Sequence, residues 1–206
     1  MKTPPLILAS ASPRRRELLA QLGLRFDVEV ADIDETPRTG EVAEVYVVRM
    51  ALEKARAVQQ RRVDLPASTA VLGSDTSVVV DGDILGKPRD RADGLAMLAR
   101  LSGRTHHVYT AVAMVMGALP SQEASRLCVS SVTFGTLSEV ERLAYWATGE
   151  PLGKAGGYAI QGRAGAFISR LEGSFSGVMG LPLFETTELL RLFGIEVCRR
   201  WSQERQ

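Results

Sequence analysis

The chain opens on a short apolar run, Leu6-Ile7-Leu8-Ala9, whose length and composition predict a strand. From Ser12 to Leu22 the pattern becomes helical, with Leu18, Leu19 and Leu22 on one face, Ser12 as N-cap and Pro13 at the first helical position. Phe26 to Val30 alternates as a strand and runs into the acidic loop Asp32-Ile33-Asp34-Glu35-Thr36-Pro37. A long helix is expected from Glu41 to about Arg61, its apolar face read as Val45, Val48, Leu52 and Ala55. Ala70–Gly73 and Ser77–Val80 read as two separate strands, the second turning at Asp81-Gly82-Asp83. Asp90 to Leu101 reads as a helix stopped by Ser102-Gly103, and Thr105–Met116 with Ser125–Phe134 as a long hairpin. Ser138 and Glu141 have the spacing of a capping box for a helix through Thr148. A glycine-rich loop (149–165), a strand at Ala166–Leu171, a helix at Leu183–Phe193 and a last strand at Glu196–Trp201 complete the series. Strands and helices mix without strict alternation, which predicts a mixed α/β (α+β) fold.

Composition narrows the function. At 206 residues, 45% hydrophobic and 24% charged, the chain has the profile of an ordinary globular protein able to bury a substantial core. A formal charge of +1 excludes the strongly basic surface of a nucleic-acid binder, so an anionic partner must be met by locally concentrated charge. No run approaches the ~18 apolar residues of a membrane span, and the N-terminal apolar run of about five is too short for a signal peptide. Cys128 and Cys198 are far apart and lack CxxC spacing, which suits a reducing compartment and argues against zinc; Cys198, in an apolar run, reads as inert packing. The expected location is the cytoplasm.

Two constellations carry candidate chemistry. Arg14, Arg15 and Arg16 occupy the first turn of the first helix, where the macrodipole disfavours cations. Free helix N–H groups, the Ser10 and Ser12 hydroxyls and guanidinium forks together suit a phosphate, although a solvated basic helix start has the same pattern. Three successive helical residues cannot share one ligand, and Arg16 reads as the bystander. In Gly73-Ser74-Asp75-Thr76 a carboxylate ends an apolar strand, open to reading as a general base, a metal ligand or a turn cap. Gly82-Asp83-Ile84-Leu85-Gly86-Lys87-Pro88 mimics a Walker loop, but the glycine spacing is one short and Pro88 replaces the required Ser/Thr. Lys87 nonetheless sets an ammonium between two conformationally special residues. Lys54, on the edge of its helix's apolar face, reads as snorkelling over the core or pointing into a cleft. Asp32, Asp34 and Glu35 suit either solvation or Mg²⁺. His106 and His107 point to opposite faces of a strand and read as structural or rim residues.

In order along the chain, Leu8-Ala9-Ser10-Ala11-Ser12-Pro13-Arg14-Arg15, Glu53-Lys54-Ala55, Gly73-Ser74-Asp75-Thr76, Leu85-Gly86-Lys87-Pro88 and Leu101 to His106 resemble the motifs of the Maf family of nucleoside triphosphate pyrophosphatases. Gly153 to Gly162, Gly173 to Ser176 and Gly180 to Leu183 continue the match, so the resemblance covers residues 6 to about 190. It implies a single domain over the whole chain, elongated and two-lobed like the inosine triphosphatases, with a central mixed sheet, a cleft between the lobes, and homodimerisation. It also implies hydrolysis between the α and β phosphates with a divalent cation, Mg²⁺ or Mn²⁺. By position, Asp75 matches the proton acceptor that activates water and, with Glu35, the metal side. Arg14, Thr76 and Gln161 match the residues for base choice, and Ser10, Arg15, Lys54 and Lys87 the phosphate contacts.

Gln161 resembles the branch acting on dTTP and UTP; the branch acting on 7-methyl-GTP has an acidic residue there. A glutamine amide offers a donor and an acceptor together to the O4/N3 edge of uracil or thymine. Gly153 stands where many members carry Asp, and Gly177 where a larger residue is expected; both are read as loosening the loop around the base. The same resemblance leaves room for modified pyrimidine triphosphates as substrates, and for a nucleotide-binding regulator of septum formation without essential catalysis.

Overall fold

The computed structural model describes residues 5–62, 65–117 and 122–201. In chain order its main elements are β1 (Leu6–Ala9), α1 (Pro13–Ala20), β2 (Asp27–Glu29), α2 (Ala43–Arg61), β3 (Ala70–Val80), β4 (Asp83–Leu85), α3 (Arg91–Leu101) and β5 (Thr105–Met116). They continue with β6 (Gln122–Phe134), α4 (Glu139–Ala147), β7 (Ile168–Glu172), α5 (Phe175–Met179), α6 (Leu183–Leu192) and α7 (Cys198–Trp201). The seven strands form one mixed sheet in the order β2-β1-β3-β5-β6-β7, with β4 on β3. β1 runs parallel to both β2 and β3, whereas β4 is antiparallel to β3 and β7 to β6. The mixed α/β architecture expected from the pattern is therefore what forms. Among the described residues no helix is long and apolar enough to cross a membrane.

The chain divides into two compact units, residues 1–75 with 110–127 and 180–206, and residues 76–109 with 128–179. In the first, Ile7, Ala9, Val71 and Val115 from the strands pack with Ala55 and Val58 of α2. In the second, Val78, Val80, Val108, Val132 and Phe134 pack with Leu98 and Leu101 of α3, Tyr145 of α4 and Tyr158. Each core joins strand residues to residues of the covering helices, which is how a sheet and its helices exclude water.

Four expectations about the fold need correction. The two strands around Asp75 are one: β3 runs unbroken for 11 residues, and Asp75 lies inside it rather than in a turn. The helical period of α2 is right but its phase is not: Tyr46, Val47, Met50, Ala51, Lys54, Ala55 and Val58 face inward while Val45 is exposed. The last expected strand is instead the four-residue helical turn α7; Ile195 and Val197 alternate as a strand would, yet the segment has no place in the sheet. Cys198 sits at the start of this turn and is exposed, so it is not core packing; Cys128 is the buried thiol.

Candidate active site

β1 delivers Ser10 to the start of α1, whose N-terminus is built as the sequence suggests. Ser12 accepts the Arg15 N–H at 3.4 Å and Pro13 begins the helix. The Ser10 hydroxyl turns back into this corner, accepting from the Ser12 N–H at 3.1 Å and from Arg15 Nη1 at 3.4 Å. The three arginines separate: Arg16 is exposed, Arg14 is half-buried, and Arg15 donates from Nε to the Gly180 carbonyl at 2.8 Å. That carbonyl also accepts from Ser74 Oγ at 2.9 Å, so one backbone oxygen fixes both Arg15 and the strand residue beside Asp75. Burial pulls the Arg15 pKa below its ordinary value, opposed by the charges of Asp75 and Glu35.

The opposite face of β3 carries the acid. Gly73 and Asp75, two residues apart, point the same way, and a Cβ at Gly73 would stand 2.1 Å from the Ala51 carbonyl oxygen of α2. Only glycine permits this approach, which sets the backbones of α2 and β3 close together. From that distance Lys54 reaches inward and donates to Asp75 Oδ1 at 2.6 Å, and it pairs with Glu35 Oε1 at 2.7 Å. Lys54 is buried, so the snorkelling reading is overturned: an ammonium enters an interior only when paired, and here two carboxylates meet it. Burial raises the Asp75 pKa above the ordinary 3.8, against the lowering pull of Lys54 and Arg15.

Glu35 comes from the acidic loop between β2 and α2. Tyr46 Oη donates to the Glu35 carbonyl at 2.7 Å, and Arg49, stacked over the Tyr46 ring, donates to the Thr36 carbonyl at 3.3 Å. Arg49 is held in turn by Glu41, whose carboxyl this ion pair drives down to about 2. Asp34 spends its carboxylate on Thr36, at 2.9 Å to N–H and 2.6 Å to the hydroxyl. Of the acidic loop's carboxylates, Glu35 is the one turned to Lys54.

A divalent cation can be weighed against this donor set. Glu35 and Asp75 converge on one cationic nitrogen, and two hard carboxylates with room for waters and phosphate oxygens are what Mg²⁺ or Mn²⁺ takes. Among the described residues there is no cluster of three or more His, Cys, Asp or Glu that could hold a metal ion.

The remaining sequence candidates lie in the second unit. Thr76 is half-buried and, next after Asp75 on β3, points to the other face of the strand. Lys87 is exposed just after β4. The Gly156 N–H donates to the Gly86 carbonyl at 3.0 Å, which ties the Lys87 loop to the segment carrying Gln161. Gln161 is exposed in a tight turn closed by the Gly162 N–H on the Ala159 carbonyl at 3.0 Å. Gly153 has φ +69° with open space around it, whereas Gly177 is enclosed: a Cβ there would meet Ser174 Cβ at 3.1 Å and Cys128 Sγ at 3.2 Å. Gly177 is thus tight packing and not a loosened loop. His106 is fully buried with Nε2 2.8 Å from Tyr158 Oη, and His107 is exposed, as their alternation requires.

Sequence reasoning singled out neither Gly180, Ser74 and Tyr46, which set Arg15 and Glu35, nor Tyr145 and Glu150, which anchor the Gln161 segment. The phase of α2 could have pointed to Tyr46. Arg15 and Ser74 meet the Gly180 carbonyl from 165 and 106 residues away, and Glu150 and Tyr145 hold backbone N–H groups 13 and 14 residues on, which leaves no local pattern.

The protein of Alkalilimnicola ehrlichii named dTTP/UTP pyrophosphatase is 52% identical over 200 residues, covering 96% of this chain and 97% of its own. The Myxococcus xanthus protein of the same name is 53% identical over 197 residues, covering 96% of each. Among solved structures, a nucleoside-triphosphatase (dITP/XTP pyrophosphatase) of Mycobacterium abscessus is 17% identical, covering 65% of this chain and 75% of its own with a TM-score of 0.40, a level that says nothing about substrate. The Maf-like protein family model matches residues 5–193, which include each of the side chains placed above from Ser10 to Gln161, and the chain belongs to the Maf family.

Proposed function

We propose that this chain is a nucleoside triphosphate pyrophosphatase that hydrolyses dTTP and UTP to the nucleoside monophosphate and diphosphate. The observation that carries the reading is the buried Lys54 ammonium held between Asp75 and Glu35, with Arg15 close by. The names of relatives about half identical over nearly the whole chain supply the substrate class. Transfer from a phosphate chain to water is mostly a matter of positioning and charge neutralisation, so a centre of two fixed cations and two carboxylates suits it.

Asp75 takes a proton from the water that attacks the α-phosphorus, while the bond from that phosphorus to the α,β-bridging oxygen breaks and diphosphate leaves. Lys54 engages Oδ1, which leaves Oδ2 to receive the proton. Burial makes Asp75 a stronger base than an exposed aspartate, in the direction this role needs. Ser10, Arg15, Lys54 and Lys87 bind the phosphate oxygens, Arg15 and Lys54 from pre-paired and therefore already oriented positions. Glu35 and Asp75 are the residues to hold Mg²⁺ or Mn²⁺, which when bound supplies neutralisation of the triphosphate. Arg14, Thr76 and Gln161 select the base. The acting species is a cytoplasmic homodimer working on free nucleotide; its near-zero charge supports the absence of a nucleic-acid partner.

The test is diphosphate release by the purified chain across all common nucleoside triphosphates, with Mg²⁺, with Mn²⁺ and with chelator. The expected result is release from dTTP and UTP well above CTP and the purines, abolished by chelation. No release from any pyrimidine triphosphate sinks the reading.

A further inference from the structure

The segment carrying Gln161 is anchored at both ends by one carboxylate and one hydroxyl. Glu150 Oε2 accepts the Arg163 N–H at 3.0 Å, and Oε1 accepts the Ala164 N–H at 3.3 Å and the Tyr145 hydroxyl at 2.8 Å. The Tyr145 oxygen in turn accepts the Ala159 N–H at 3.2 Å. Gln161 stands between these anchors, in the turn that Gly162 closes onto Ala159. The carboxylate lies directly against this turn: a Cβ at Gly162 would stand 2.5 Å from both Glu150 oxygens and would displace the carboxylate from its place. Tyr145 and Glu150 are themselves locked, since Thr148 Oγ1 donates to the Tyr145 carbonyl at 2.7 Å and accepts the Glu150 N–H at 3.1 Å.

The chemistry of base choice explains what such an anchor is for. A glutamine amide is ambidextrous: turned over, it presents its acceptor where its donor was, and it then pairs with cytosine as readily as with uracil. Discrimination requires the amide to be held one way round. Gln161 is exposed, so the frame for its side chain is the backbone beneath it. Burial works to raise the Glu150 pKa, but the Arg163 and Ala164 amides and the Tyr145 hydroxyl hold it below its ordinary value, so the anchor is a carboxylate at neutral pH. Charged acceptors make the stronger hydrogen bonds.

We propose that Glu150, with Tyr145, is a positioning residue for base selection: it fixes the Ala159–Gly162 turn so that the Gln161 amide meets the O4/N3–H edge of uracil or thymine and rejects cytosine. The inference rests on the reading of Gln161 as a base-selecting side chain. Glu150 touches neither substrate nor reacting atoms in this scheme; it acts through the backbone it holds.

The experiment measures kcat and KM for UTP and for CTP with the full chain and with Glu150→Gln, Tyr145→Phe, Gln161→Ala and the double variant Glu150→Gln/Gln161→Ala, each with a thermal melt. Loss of one well-made hydrogen-bonded anchor is expected to cut the UTP-over-CTP ratio of kcat/KM by about tenfold in Glu150→Gln, carried by KM for UTP. Tyr145→Phe keeps the Arg163 and Ala164 contacts and is expected to cut the ratio by about threefold. The double variant should lose no more selectivity than Gln161→Ala alone, because both act at one point. A fall in Gln161→Ala with an unchanged ratio in Glu150→Gln overturns the role of Glu150 and leaves that of Gln161 standing. An unchanged ratio in Gln161→Ala overturns the base-selection reading, and this proposal with it. Equal losses on UTP and CTP in Glu150→Gln reduce Glu150 to a structural residue and also overturn the proposal. If Glu150→Gln shows no cooperative melt, Tyr145→Phe decides by the same ratio.

Discussion

In the first unit Lys54, Arg15, Asp75 and Glu35 gather formal charge around a buried point, and the largest influence on Asp75 is its own loss of water. In the second, His106, Tyr158 and Tyr145 are buried as neutral groups, and the one carboxylate among their neighbours, Glu150, is answered by two backbone amides and a hydroxyl. Both regions take polar atoms out of water, but they settle the cost differently. The buried neutral groups of the second are packed and partly hydrogen-bonded to one another, with His106 Nδ1 left without a partner, and they have little to gain from an anion. A cluster of charges that must neutralise one another is held in place yet gains when an anion and a cation enter. The contrast suits the reaction proposed for the charged cluster and a holding role for the neutral groups beside the Gln161 turn.

The strongest attempt to break that division is Asp75→Asn, which keeps the shape and removes the base. A positioned general base is worth about 10²–10⁴-fold, so kcat for dTTP is expected to fall by about 10³-fold while the variant still binds nucleotide. Near-normal turnover in this variant, read as diphosphate release, would place the base elsewhere.

Lys54→Met comes next and bears on both stability and rate. Removing one partner from a buried ion pair leaves its carboxylate uncompensated, at about 3–5 kcal/mol, to be read from urea unfolding. Lys54 also lowers the Asp75 pKa, so its loss must move the acid limb of the rate profile to higher pH. If stability falls but the limb stays, Lys54 is only a strut.

Acid should separate the two units in opposite senses. Burial, with a smaller push from His107, drops the His106 pKa from 6.5 to about 4. Between those values the unfolded chain binds a proton that the native chain refuses, so the stability contributed by neutral His106 is present above pH 6.5 and lost as pH falls toward 4. The loss is about 3 kcal/mol across the window. Asp75 has the other sign: its folded pKa is raised, so acidification neutralises it and relieves its burial while stopping catalysis. Unfolding midpoints for the chain and for His106→Gln at pH 7.5, 5.5 and 4.5 check this, and an equally steep acid loss in both would remove His106 from the account.

Much of this is legible in the sequence. The short strand, Ser12 cap, Pro13 and arginine turn at the start are local in sequence, and they form as read. The capping box of Ser138 and Glu141 is equally local and equally present. Lys54 stays open between snorkelling and a cleft while the stripe on α2 is phased on Val45, a residue β-branched and apolar but exposed, because one residue of phase decides whether position 54 faces in. Asp75 was misread as a strand end because a charge inside an 11-residue strand is intelligible only once its partner on a helix 21 residues earlier is known. Glu150 carries little signal, since two of its three partners are backbone N–H groups, which every sequence has.

The smallest expected effect tests the finest division, that among three consecutive arginines. Arg15 is fixed by the Gly180 carbonyl and lies among the charges of Asp75 and Glu35, whereas Arg16 is exposed. An exposed cation in the first turn of a helix opposes the macrodipole, so Arg16→Ala should leave stability unchanged or raise it by about 0.3 kcal/mol. Its kcat/KM for dTTP should stay within about twofold of the parent, whereas Arg15→Ala loses a charge-assisted phosphate contact and should drop it by at least about tenfold. The comparison is sharp because the two changes remove the same group from adjacent positions. Equal losses would mean that the whole basic turn grips the phosphate as a diffuse field, and the division between a held arginine and a solvated one would have to go.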